Sequence, residues 1–371
     1  MKVCIDIQST IAQRAGVGRY TRQLVQHLGL SKNAEDKLSL FYFDFKRQGL
    51  PFDLRGAETY PIRFCPGRLA QAAWKIIEWP PFDYFAPAAD LYHFPNFILP
   101  PLSKCKSVVT IHDMSFFRFP QFAEKQNLEY LSSRIHDTAA RADAIITDSS
   151  FSAGEISELL KLPSEKIFPI HLGISENFSA PPSADVDKIR SSLNIRKPYL
   201  LTVGTVEPRK NIQFLVHFFE RIADFDGNLV IAGMRGWKFE PILEQIRASR
   251  RAKDIIYVDY IDDSMLPALY AGAELFLCTS LYEGFGFPPL EAMACGTPVL
   301  SSNGGSLAEV LGKGAVIMKE FDHEAWKVQA AKILSSSDLR KTLISEGKIT
   351  ASKYRWAETA RKTWDVYRKI V

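Results

Sequence analysis

Short apolar runs alternate with amphipathic stretches along nearly the whole chain. Runs at 3–7, 38–43, 91–94, 108–112, 144–147 and 167–170 are rich in branched and aromatic residues and predict strands. Between them, 18–28, 126–141 and 149–160 carry helical spacing. Ser149, Ser150 and Ser152 offer capping hydroxyls to the last of these, with Glu155 three residues after Ser152. The stretch Ser179-Ala-Pro-Pro-Ser-Ala184 resists both helix and ladder and predicts a linker. The alternation then restarts, with strands predicted at 199–204, 229–233, 255–258, 275–278, 298–301 and 315–318. The region 324–369 reads as helix without strand.

Alternation of this kind, with short connections, implies parallel sheets covered by helices on both faces. The expected fold class is α/β, with two doubly wound, Rossmann-like domains facing a cleft. The first covers 1–178, a linker region 179–198, and the second domain 199–353. Trp356, Trp364 and Tyr367 give 354–371 more aromatic surface than a free tail tolerates, so this helix is expected to cross back to the first domain.

Composition narrows the class. The chain has 371 residues, enough for two cores, and 46% hydrophobic against 24% charged residues excludes disorder. A net charge of +4 suits an anionic small ligand or an acidic membrane surface, and is too small for a dedicated nucleic-acid binder. The cysteines at 4, 65, 105, 278 and 295 show no C-x-x-C spacing and read as reduced thiols of a cytoplasmic protein. Asp6 interrupts the first apolar run, so no signal peptide is expected, and no run is long enough to span a bilayer.

Candidate chemistry gathers at a few turns. Gly204-Thr-Val-Glu-Pro-Arg-Lys-Asn211 lies between a predicted strand and helix. Free N–H groups at a helix start favour an anion, and Arg209 and Lys210 add two charges, enough to neutralise a diphosphate. A solvated basic pair at a surface turn accounts for the spacing equally well. In Glu283-Gly-Phe-Gly-Phe-Pro-Pro-Leu-Glu291, Pro288 and Pro289 start a helix with Glu291 expected in its first turn. Two carboxylates at strand ends suit sugar hydroxyls, and Gly284 and Gly286 let backbone approach a ligand. The alternative is helix capping by acids.

Gly16-Val-Gly-Arg19 follows the first strand, but Thr21 replaces the third glycine of a dinucleotide fingerprint. A flexible loop closing on a phosphate or acceptor, with Arg19 adding charge, stands beside a plain turn. His112 ends a predicted strand, where it can bond a sugar hydroxyl with Asp113 orienting it; a buried structural histidine is the alternative. Asp185-Val-Asp187 and Asp224-Phe-Asp226 read as solvated turns, so no metal site is expected.

Together these residues carry a resemblance. Glu-Pro-Arg-Lys-Asn at 207–211 and the Glu-x7-Glu of 283–291, inside Tyr-Glu-Gly-Phe-Gly-Phe-Pro-Pro-Leu-Glu-Ala-Met-Ala-Cys-Gly-Thr-Pro-Val, look like the donor site of the retaining GT-B glycosyltransferases of family 4. Gly-Val-Gly-Arg-Tyr-Thr at 16–21, Thr-Ile-His-Asp at 110–113 and Ala-Gly-Met-Arg-Gly-Trp at 232–237 resemble the mannosyltransferase-like members that build bacterial polysaccharides, the O-antigen type. The resemblance implies that Arg209 and Lys210 hold the donor diphosphate, that Glu283 binds hydroxyls of the transferred sugar and Glu291 those of the ribose. It implies that Gly16 and Gly18 lie over the phosphates and acceptor, with Gly204, Gly233, Gly284, Phe285 and Gly286 around the donor. His112 would contact the sugar near its reacting carbon, and 259–262, with Tyr260 and Ile261, would line the base pocket. Many relatives have glycine where Asp259 stands, and an acid there can accept from a guanine edge or face solvent.

The activity so implied is a metal-independent, retaining transfer of a hexose, mannose from GDP-mannose, to a saccharide acceptor. No cofactor besides the donor is expected. Arg63 to Phe82 mixes basic and aromatic residues, which suits a lipid headgroup layer as well as packing within the first domain. On the first reading the acceptor is lipid-linked and the protein is peripheral at the inner face of the cytoplasmic membrane. A UDP-sugar transferase, a sugar-nucleotide epimerase, a phosphorylase carrying pyridoxal phosphate and a non-catalytic binder remain the alternatives.

Overall fold

Two parallel sheets organise the chain. The computed structural model describes residues 1–12, 16–50, 52, 54–196, 198–222 and 224–371. The first sheet comprises β1 (Lys2–Asp6), β2 (Lys37–Phe43), β3 (Glu58–Ile62), β4 (Leu91–Phe94), β5 (Lys106–Thr110), β6 (Ala144–Thr147) and β7 (Ile167–Pro169), in the order β3-β2-β1-β4-β5-β6-β7. The second comprises β8 (Tyr199–Val203), β9 (Asn228–Ala232), β10 (Ile255–Val258), β11 (Leu275–Cys278), β12 (Val299–Ser302) and β13 (Ala315–Met318), in the order β10-β9-β8-β11-β12-β13. Every named pairing is parallel, with Ile5 of β1 opposite both Leu40 and His93. Central strands such as β4, β6 and β11 are buried along their whole length. That is why they read in the sequence as unbroken apolar runs.

The chain forms two compact units: Met1–Met114 with Gln126–Gly173 and Arg355–Val371, and Ser115–Lys125 with Ile174–Tyr354. The C-terminal helix Trp356–Ile370 packs in the first unit, against the helix Val17–Ser31. Trp364 donates its indole N–H to Leu28 O, and Tyr367 Oη lies 2.6 Å from His93 Nδ1. The aromatic positions singled out in the sequence are the ones that dock it.

Three local features differ from the sequence reading. Strand β3 was not foreseen. It is an edge strand, exposed over most of its length and interrupted by Pro61, so it carries neither an apolar run nor clean alternation. Within 179–198 stands a helix, Ser183–Ser192, entered from an extended Pro182. It buries Ile189, packs on the helix Leu266–Ala271 and belongs to the second unit; residue 197 lies outside the described residues. Asp185 and Asp187 are exposed side chains of that helix rather than turn residues. The five cysteines are free thiols, with Cys4 in β1 and Cys278 in β11.

Candidate active site

In the second unit, the chemistry collects where β8 and β11 end. These neighbours flank the point at which strand order reverses, the place where open α/β sheets receive ligands. After β8 the chain passes Gly204 into a short 3-10 turn, Pro208–Lys210, and then the helix Ile212–Arg221. After β11 it runs through Thr279 and Ser280 to Glu283 and the helix Phe287–Ala294. Two bonds to backbone carbonyls join the connections: Leu281 N–H donates to Arg209 O at 2.8 Å, and the Thr279 hydroxyl to Lys210 O at 2.9 Å. The cationic pair and the first carboxylate therefore face one another through fixed backbone.

Their side chains form one cluster. Lys210 Nζ donates to Glu283 Oε1, which also accepts from the Ser280 hydroxyl at 2.6 Å. Arg209 Nη1 donates to Glu283 Oε2 at 3.0 Å and to Tyr282 O at 2.7 Å, while Nη2 donates to Glu207 Oε1 at 2.6 Å. Glu283 and Glu207 are buried. Burial alone would push the Glu283 carboxyl up; Lys210 and Arg209, with hydrogen bonds from Lys210 and Ser280, outweigh it and hold the group at about 2. The solvated basic pair is thereby excluded, since both cations are tied to buried acids. Lys210, Gly204, Cys278, Ser280, Glu283 and Pro288 line a shallow recess. Burial pushes the Cys278 thiol up, so at neutral pH it lines the wall without acting as a nucleophile.

Glu291 sits in the second turn of its helix, not the first, because the helix begins at Phe287, ahead of both prolines. It is buried, and Tyr270 donates its hydroxyl to Oε2 at 2.9 Å. Gly286 precedes the helix at φ 101°, a conformation that favours glycine. Gly204 and Gly233 follow β8 and β9, and a Cβ on Gly233 would stand 1.9 Å from Gly204 O. Beyond β10, Asp259 pairs with Arg235 (Nε to Oδ2 3.3 Å), both half-exposed, beside an exposed Tyr260 and a partly buried Ile261. Gly284 and Phe285 complete the connection after Glu283, and Phe285 is buried.

The remaining candidates belong to the first unit. Gly16 to Arg19 is not a loop. Gly16 caps the helix Val17–Ser31 at φ 58°, and Gly18 and Arg19 form its first turn; the three residues before Gly16 lie outside the described residues. His112 lies two residues past β5 and its ring meets Tyr20 of that helix edge-on at 4.7 Å. Its Nδ1 bonds Asp148 Oδ2 at 2.9 Å and its Nε2 bonds Pro95 O at 3.2 Å. Asp148, which comes off the adjacent strand β6, bonds the ring directly, and Asp113, next along the chain, contributes charge. Burial would lower the His112 pKa, but the Asp148 charge and hydrogen bond, with Pro95 O, raise it.

Sequence reasoning missed Glu207, Ser280, Tyr270 and Asp148. Glu207 was legible, as it stands inside the Glu-Pro-Arg-Lys-Asn motif. Asp148 and Tyr270 are joined to their partners only through strand and helix packing.

Residues 185–350 match the family model for glycosyl transferases group 1. The chain is 29% identical over 391 residues to an O-antigen chain mannosyltransferase B of Escherichia coli, covering the whole of both proteins. It is 30% identical over 244 residues to the serotype-specific mannosyltransferase WbdA of Escherichia coli, covering 62% of this chain and 29% of that protein. The chain thus spans the full length of the first relative and under a third of the second. Among solved structures, a sucrose-phosphate synthase from Thermosynechococcus elongatus superposes with a TM-score of 0.79 at 20% identity, covering 100% of this chain and 98% of that one. That likeness shows the fold.

Proposed function

We propose that this chain, a glycosyltransferase with a group 1 domain in the GT-B fold, moves mannose from GDP-mannose to a saccharide acceptor in surface polysaccharide synthesis. The names of the relatives support the sugar. The observation that carries the reading is the hold of Lys210 and Arg209 on the buried Glu283 carboxylate. A donor diphosphate is strongly anionic and competes for both cations. Glu283 is then released to accept from sugar hydroxyls, so one rearrangement positions both ends of the donor.

As the bond to the anomeric carbon breaks, negative charge grows on the phosphate, and Arg209, Lys210 and N–H groups at the helix start stabilise it electrostatically. In this reading the cations do the work a metal does elsewhere. Glu283 is committed to binding, so attack occurs on the face the phosphate leaves, with the phosphate as base, and configuration is retained. To bond the sugar, His112 Nε2 exchanges Pro95 O for a hydroxyl, and Glu291 accepts from the ribose. The acceptor is lipid-linked, and the protein is cytoplasmic and peripheral at the membrane face. The test is nucleotide release from GDP-mannose and from UDP-sugars with a saccharide acceptor and EDTA, followed by NMR of the product's anomeric coupling. Release from GDP-mannose with an α product supports the reading. Release from UDP-sugars alone, inversion, or a chelator-sensitive rate overturns the matching part of it.

A further inference from the structure

We infer that the outer face of the helix Gly67–Ile76, with its flanking turns, is a docking surface for an anionic bilayer. The inner face is anchored. Ala70 is buried, Trp74 packs against Phe43, Phe82 and Phe85, and its indole N–H donates to Pro80 O at 2.6 Å. Arg134 donates to the carbonyls of Trp74 and Lys75 at the helix end. The opposite side is therefore presented to solvent by a fixed element.

That side is apolar where a soluble surface helix is polar. Leu69, Ala72 and Ile76 share one stripe at helical spacing, and Leu69 is 63% and Ile76 79% exposed. Phe64 before the helix (69%) and Ile77, Trp79 and Tyr84 after it (63%, 65% and 71%) extend the patch. Scattered apolar residues are ordinary on a surface, but this many exposed large ones on one helix and its flanking turns mark an interaction site.

Charge decides the occupant. Arg68 and Lys75 form the neighbouring stripe, the Lys75 ammonium 5.3 Å from the centre of the Tyr130 ring, and Arg63, half-exposed beside Phe64, lies 3.7 Å from Asp44 Oδ2. The acids of the segment are engaged elsewhere, Glu78 with Arg134 and Asp83 with the Ser103 N–H. An apolar stripe bordered by cations, with Trp and Tyr at the boundary, suits the headgroup layer of anionic lipid. Ten residues make a helix about 15 Å long, too short to cross a bilayer, so it lies in the plane. The inference rests on the lipid-linked acceptor proposed above and assigns its delivery surface.

The experiment is flotation of the full chain with phosphatidylglycerol and phosphatidylcholine vesicles, beside nucleotide release with a soluble acceptor. Binding to the anionic vesicles, weakened by salt, reduced at least tenfold in Leu69→Glu/Ile76→Glu and severalfold in Arg68→Gln/Lys75→Gln, supports the inference. No binding, or equal binding by the variants, overturns it. A dimer in solution that the Leu69→Glu/Ile76→Glu pair dissolves also overturns it, since the face then serves a second copy. Flotation without transfer sinks the enzymatic reading alone; transfer on the soluble acceptor without flotation sinks the docking surface alone.

Discussion

His112 Nδ1 lies 2.9 Å from Asp148 Oδ2, with Pro95 O at 3.2 Å from the other ring nitrogen. A carboxylate and a carbonyl only accept, so these two partners favour the ring with a proton on each nitrogen. Asp113 adds charge, and His93 and Tyr20 also lie near the ring. The raised pKa keeps the cation above the ordinary 6.5; its stabilisation is complete below that value and is lost as pH rises through the folded one. Asp148→Asn should lower the His112 pKa, read by NMR of 15N-labelled histidine. The alkaline limb of the rate profile should move down, with kcat/KM falling about tenfold to a hundredfold. An unchanged limb with a normal melting temperature would remove His112 from the reaction.

The Glu283 carboxyl, held at about 2, stabilises the fold fully above its ordinary value of 4.5 and loses that contribution as pH falls toward 2. Glu283→Gln should therefore cost on the order of 3 kcal/mol near pH 7, and the gap to the native chain should close in acid. Denaturant melts at pH 7 and pH 3 measure this. Pairing the change with Lys210→Met removes the stranded cation and should restore most of the stability at neutral pH. Turnover should stay down by two orders of magnitude or more, because stability and catalysis draw on the same pair for different reasons.

Glu207 holds one arm of the Arg209 guanidinium while Tyr282 O and Glu283 hold the other. The planar fork is thus aimed from two sides. Glu207→Gln keeps an acceptor but loses its charge, and kcat/KM should fall about tenfold; Glu207→Ala leaves the fork loose and should cost about a hundredfold. Equal rates in all three proteins would leave Glu207 a structural residue only.

How much was legible follows from what each element needed. Strand β11 is buried throughout and β8 over its first three residues, so their apolar runs announced them, and the turns after them inherited their place from parallel topology. The meeting of Lys210 with Glu283 was therefore foreseeable. That Glu283 pairs with the cations directly was not, because a linear motif carries no side-chain direction. The partner of His112 was misread for a related reason. Asp113 is adjacent in sequence, yet Asp148 reaches His112 across the β5–β6 pairing, a register the residue order does not print. Edge strand β3 escaped because an edge needs no apolar face.

Tyr270 and Glu291 meet from neighbouring helices, hydroxyl to carboxylate at 2.9 Å, both buried. If Glu291 accepts from ribose hydroxyls, Tyr270 is what keeps its carboxylate in one orientation while the other oxygen serves the ligand. Tyr270→Phe preserves the ring packing against Phe276 and Phe178 and removes only the donor. Calorimetry with a nucleoside diphosphate should show affinity weakened about tenfold, the worth of a hydrogen bond to a charged group. A 2′,3′-dideoxy diphosphate separates positioning from packing. The native chain should bind it about tenfold or more weakly than the ribose form, whereas Tyr270→Phe should discriminate less between the two, since the contact it orients is already weakened. Full discrimination retained in the variant would mean that the ribose is read elsewhere, and that Glu291 serves the helix pair alone.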